Sequence, residues 1–282
     1  MHKYEEAQFT KEFSMTHFYR NTRSPAVLGI LEEKGCSKNI LNKEKQNSII
    51  LDFIGGKTLR NIILSYLSED KKSNPGFQLL ILLLVIDLAK AIEFLHAKNL
   101  IHRDIKPENI IITKEFELKL IDFGISKSCN KTYELTTSEK GTIFYEPPEN
   151  VLTDIDDLDE DDFTKSNYTK SRKISKALDI WAFGLIVSEV ISGETPWGED
   201  YKRNPNQILI SLMSRKKFPI PKSITDLQII FLIESCTEYQ PKNRIEIKQI
   251  INLVTEIFVR KLNIVSKQHN IYCLFQSEQL GM

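Results

Sequence analysis

The stretch His102-Arg103-Asp104-Ile105-Lys106-Pro107-Glu108-Asn109, followed thirteen residues after Asn109 by Asp122-Phe123-Gly124, decides the reading of this 282-residue chain. Upstream of it, Leu80, Leu83, Leu84, Asp87, Leu88, Ala91 and Leu95 recur near the helical period, which predicts a long helix over 77–97 with one broad apolar face against a core. Downstream, two short apolar runs between Ile110 and Ile121 flank Lys114-Glu115-Phe116 and predict a hairpin. The charged octet therefore sits between a helix and a hairpin.

Further out, 26–31 and 48–54 carry the composition of strands, separated by a polar, Lys-rich stretch suited to a turn or loop. Residues 7–20 read as a helix that must end before Pro25, and 58–67 as a short helix after Gly55-Gly56. Asp179 opens Ile180-Trp181-Ala182-Phe183-Gly184-Leu185-Ile186-Val187, apolar on every side, so this helix should be buried all round. Helical patterns continue to about Leu262. From Asp154 to Asp162 seven of nine residues are acidic, and Lys165, Lys170, Arg172, Lys173 and Lys176 follow; the run reads as a solvated loop.

Composition bounds the function. With 38 basic and 38 acidic residues the formal net charge is zero, which argues against a general nucleic-acid or membrane-surface binder. The longest aliphatic run, 79–86, is far short of the ~20 residues that span a bilayer. His2-Lys3-Tyr4-Glu5-Glu6 shows neither a basic patch nor an apolar stretch, so no secretory signal is expected; Cys36, Cys129, Cys236 and Cys273 share no CxxC spacing, so reduced thiols in the cytosol or nucleus are expected, with the cytoplasm preferred.

The octet and the Asp-Phe-Gly triplet resemble the catalytic loop and metal-binding motif of the eukaryotic protein kinase family, serine/threonine type. The resemblance implies an α+β, protein-kinase-like two-lobe fold with a truncated N-terminal small lobe and a mainly helical C-terminal lobe. The domain would span 1–260, with a partial small lobe over 1–54, a large lobe over 55–260 and a C-terminal tail over 261–282. It implies ATP and Mg2+, with a protein substrate and an upstream activating kinase as partners. Phosphoryl transfer asks a protein mainly for positioning and charge neutralisation. By resemblance Asp104 accepts the proton of the attacking hydroxyl, as a carboxylate ionised at neutral pH can. Lys106 places its ammonium on the γ-phosphate. Asn109 and Asp122 supply hard oxygen ligands to Mg2+, and the candidate hinge Leu51-Asp52-Phe53-Ile54 puts Asp52 and Phe53 against the nucleotide. Arg103 marks the subclass whose activation segment is ordered by a phosphate. His102 would support the backbone.

Further matches follow in the family's order. Residues 141–149 look like the end of an activation segment, with Pro147-Pro148-Glu149 where Ala-Pro-Glu is usual. Arg244 matches the partner of that glutamate, and Asp179 the aspartate that supports the catalytic loop. Lys106 and Thr142 favour serine or threonine over tyrosine as acceptor. Thr136, Thr137 and Ser138 are either acceptors of an activating phosphate or ordinary loop residues.

The sequence also departs from the pattern. None of the eleven glycines forms a GxGxxG; Gly55-Gly56 belongs to the turn into the large lobe, not to a phosphate cradle. Glu12 best fits the glutamate of the small-lobe helix, and neither Lys3 nor Lys11 is a convincing partner for it. The pattern begins after the family's third strand. Three readings stay open at this stage: strands encoded upstream of Met1, an inactive scaffold that binds partners through its large lobe, or a slow kinase. A small-molecule phosphotransferase is disfavoured by Pro147-Pro148-Glu149, which suits a polypeptide acceptor.

Overall fold

The computed structural model describes residues 30–32, 50–51, 54–66, 74–122, 127–128, 143–151, 175–198, 204 and 206–268. Two short strands, β1 (Ile30–Glu32) and β2 (Ile50–Leu51), pair antiparallel. β2 lies within the expected strand over 48–54, and β1 overlaps the one over 26–31 and runs one residue past it. The expected helix over 7–20, Glu12, Asp52, Phe53, the acidic run and Thr136 to Ser138 lie outside the described residues.

Gly56 opens a strand that the composition did not announce. β3 (Gly56–Thr58) pairs antiparallel with β5 (Ile110–Thr113), which pairs in turn with β6 (Leu118–Leu120). A Cβ on Gly56 would stand 2.4 Å from the carbonyl oxygen of Ile112, so only glycine lets the two backbones close. Gly56 thus stands in a strand, where the sequence had placed the Gly55-Gly56 pair in a turn. The hairpin expected over 110–121 is the β5–β6 pair. Between β3 and β5 come α1 (Leu59–Tyr66), α2 (Pro75–Ala97) and β4 (Leu100–Ile101), the last paired with β7 (Lys127–Ser128).

The long helix α2 starts where Asn74 accepts the N–H groups of Gly76 (2.8 Å) and Phe77 (3.2 Å), and Pro75 occupies a first-turn position that needs no donor. The single apolar face expected for it is a correction. Leu79, Ile81, Leu82, Val85, Ile86, Ala89 and Ile92 are buried as well as Leu84, Leu88, Ala91 and Leu95, whereas Leu83 is 40% exposed. The cause is packing from several sides: α4 (Ala177–Ser192), α7 (Ile247–Gln268), β4 and β6 all contact α2. Helix α4, between the short α3 (Pro148–Val151) and α5 (Asn206–Met213), is buried at every residue from Leu178 to Val190, as its sequence demanded. It packs on α6 (Leu227–Cys236). Helix α7 runs on to Gln268, past Leu262, and Val265 is still buried, so the structure carries helix across the boundary at 260.

Candidate active site

The octet begins after β4, whose two residues are both buried and fix where the loop leaves the core. Its anchor comes from α4. The Asp179 carboxylate accepts the backbone N–H of His102 (3.0 Å) and of Arg103 (2.9 Å), and His96 at the end of α2 bonds to it through Nε2 (2.8 Å). Burial pushes the Asp179 carboxyl up, but the hydrogen bonds from His96 and the Arg103 N–H outweigh it and leave the pKa below its ordinary value. Three donors aimed at a wholly buried carboxylate hold the loop's first two residues in place.

His102 extends the bracing. Its Nε2 meets the Ile121 carbonyl oxygen at 3.0 Å, and the N–H of Asp104 points at its Nδ1 at 3.3 Å. A carbonyl only accepts and an N–H only donates, so Nε2 carries the proton and Nδ1 is bare. Burial lowers the imidazole pKa, which fits this neutral tautomer. Arg103 and Asp122 both take left-handed backbone angles, φ 74° and 64°, where a side chain is rarely found without outside restraint. The restraint is visible: Asp179 on one side, and on the other Ile121, whose N–H donates to the Asn109 carbonyl at 2.9 Å.

Of the residues the sequence singled out, the structure brings Asp104, Lys106 and Asn109 together. Lys106 Nζ lies 2.9 and 2.7 Å from the two Asp104 oxygens. Asn109 Nδ2 donates to the Asp104 carbonyl (2.8 Å) and to Oδ2 (2.9 Å). That orientation leaves the amide oxygen as the acceptor end of Asn109. Asp122 is exposed and follows directly on Ile121, the residue bonded to Asn109. Among the described residues no group of three or more His, Cys, Asp or Glu could hold a metal. The donor set that is present, one amide oxygen and one carboxylate, fits Mg2+, which takes one or two protein oxygens and fills its octahedron with phosphate and water.

Helix α3 is fastened separately. Arg244 Nη1 and Nη2 meet the two Glu149 oxygens at 2.6 and 2.7 Å, as the sequence pairing implied, while the guanidinium also donates to the carbonyls of Ala177 and Glu238 and lies 4.9 Å over the Trp181 ring. Glu146, buried and raised in pKa by that burial, accepts from Asn150 at 2.7 Å; it is among the charges that act on Arg103. Sequence reasoning passed over Arg60, which bonds to Glu108 beside the loop and to Tyr145 and Glu189.

A profile of the protein kinase domain matches residues 5–254 of this chain. The chain belongs to the protein kinase family. A probable serine/threonine-protein kinase of Clostridium perfringens is 29% identical over 246 residues, 84% of this chain and 30% of that relative. Another from Dictyostelium discoideum is 26% identical over 214 residues, 76% of this chain and 36% of its own length. An Aurora kinase of Eremothecium gossypii is 30% identical over 166 residues, 59% of this chain and 39% of the relative. This kinase chain thus spans well under half the length of each of these curated relatives. The family generally uses ATP and Mg2+.

Proposed function

We propose that the protein transfers the γ-phosphate of ATP to a serine or threonine hydroxyl of a protein substrate. The observation that carries this is the cluster of Asp104, Lys106 and Asn109, a carboxylate held between an ammonium and an amide on a braced loop. In that cluster Asp104 accepts the hydrogen bond of the incoming hydroxyl and takes its proton as the oxygen bonds to phosphorus and the bond to ADP breaks. Lys106 offsets charge on the transferred group. Asn109 and Asp122 would hold Mg2+, which neutralises phosphate charge when bound. Arg103 and a phosphate on Thr136, Thr137 or Ser138, added by an upstream kinase, would order the activation segment. The setting we propose is the cytoplasm.

Mg-ATP at about 100 times its dissociation constant should stabilise the folded protein by roughly 2.7 kcal/mol, seen as a higher melting temperature. Labelled ATP should mark a protein acceptor, and Asp104→Ala should slow this by about 10²- to 10⁴-fold. No stabilisation and no labelling would favour the inactive-scaffold reading.

A further inference from the structure

Three side chains that the reaction itself does not use, those of Arg60, Tyr145 and Glu189, close a ring beside the catalytic loop, and a fourth, Glu108, is tied to it through Arg60. Arg60 on α1 donates from Nε to Glu108 Oε1 at 2.7 Å and from Nη2 to the Tyr145 hydroxyl at 2.7 Å, and its Nη1 bonds to Glu189 Oε1. The Tyr145 hydroxyl in turn donates to Glu189 Oε2. The Glu189 side chain, on α4, is fully enclosed, and Tyr145 is buried. A carboxylate taken out of water needs a fixed cation, and only a planar guanidinium serves three acceptors in different directions at once. Tyr145, Glu189 and Glu108 together hold Arg60 firmly in its charged form against the opposing effect of burial.

The ring joins parts of the chain that matter to the acceptor. Glu108 stands in the Pro107–Asn109 turn, one residue before Asn109, whose amide grips both the backbone and the carboxylate of Asp104. Tyr145 ends the Ile143–Tyr145 turn, the close of the activation segment, and Trp197 holds that same turn from another side by donating to the Phe144 carbonyl at 3.2 Å. We propose that Arg60 is a positioning residue for the phosphoryl acceptor: it locks the turn that carries Asn109 to the turn that closes the activation segment. The relative placement of Asp104 and the incoming hydroxyl then depends on one guanidinium. This rests on the phosphotransfer reading above.

The test uses the full chain with dephosphorylated casein as acceptor, and measures kcat, KM for casein, Mg-ATP affinity by calorimetry and melting temperature. Misplacing the acceptor by about an ångström should make Arg60→Ala lower kcat/KM for casein about 10- to 100-fold, with Mg-ATP affinity held within about twofold. Arg60→Lys should recover part of the loss, since it restores the charge but not the fork. The losses of Arg60→Ala and Tyr145→Phe should not add, because both break the same ring. Unchanged casein kinetics, or a loss matched by an equal loss of Mg-ATP affinity or of folded protein, would overturn the proposal. If Arg60→Ala does not fold, Tyr145→Phe alone decides: it should lower kcat/KM at constant Mg-ATP affinity, and wild-type kinetics would sink the idea. A wild-type chain that binds Mg-ATP but labels neither casein nor itself removes the phosphotransfer reading, and Arg60's role with it. Wild-type-like Arg60 variants in an active enzyme remove only the latter.

Discussion

His102 is wholly buried, and its neutral imidazole is written into its two hydrogen bonds. Its folded pKa lies below the unfolded value of about 6.5. The unfolded chain therefore binds the proton first as pH falls, so the stability this residue contributes is full above about pH 6.5 and is lost below it. The urea midpoint should drop between pH 7.5 and 5.5, and His102→Gln should flatten that drop; equal slopes in the two proteins would contradict the assignment. Asp179→Asn brings amide hydrogens towards the N–H group of residue 102 or of residue 103, which bond to different oxygens, so it should cost about 1–3 kcal/mol in denaturant melts. At this scale the site was half legible. Asp104, Lys106 and Asn109 stand within six positions of one another, and adjacency in sequence is adjacency in space. Arg60 was invisible because its partners stand 48, 85 and 129 residues away, and no periodicity links positions so far apart.

Helices contact one another here through single atoms whose replacement has a definite sign. Gly184, in the middle of α4, faces α6, and a Cβ there would come within 2.6 Å of the Cys236 Cβ. Alanine is the better helix former by about 1 kcal/mol, yet overpacking a close helix contact costs about 1–3 kcal/mol. Gly184→Ala should therefore destabilise, and Cys236→Gly in the same chain should restore part of the loss. Arg244→Met leaves Glu149 without its ionic partner and should cost roughly 3–5 kcal/mol by urea unfolding. Elements with a strong pattern were readable: α4 from its unbroken apolar run, and the β5–β6 hairpin from two apolar stretches around a polar turn. β3 was not. Three residues are too few for any alternation to show, and Gly56–Thr58 is a strand only because Gly56 lets its backbone close on Ile112. The extent of the buried surface of α2 was underestimated because a helix covered on several sides has no single face to find.

Over the whole molecule, the equal totals of 38 basic and 38 acidic residues set how it behaves as a particle. With little net repulsion at neutral pH, solubility should pass through a minimum near pH 7 and rise at pH 8.5, as polyethylene glycol precipitation midpoints would show. No described helix is long and apolar enough to cross a membrane. The two-lobe family fold was legible from the spacing of its motifs, whereas the role of α7 was not, since its close packing on α2 is a long-range fact. The anchoring of the catalytic loop by Asp179 has a practical corollary. The carboxylate and the two N–H groups it receives come from opposite sides of residues 152–174 in the chain. A cut in that stretch would yield one fragment with Asp104, Lys106, Asn109 and Asp122, and another with Asp179, Glu189 and Arg244. Neither alone holds both halves of the anchor, so in a split version fused to two associating tags the braced loop should form only when the tags meet.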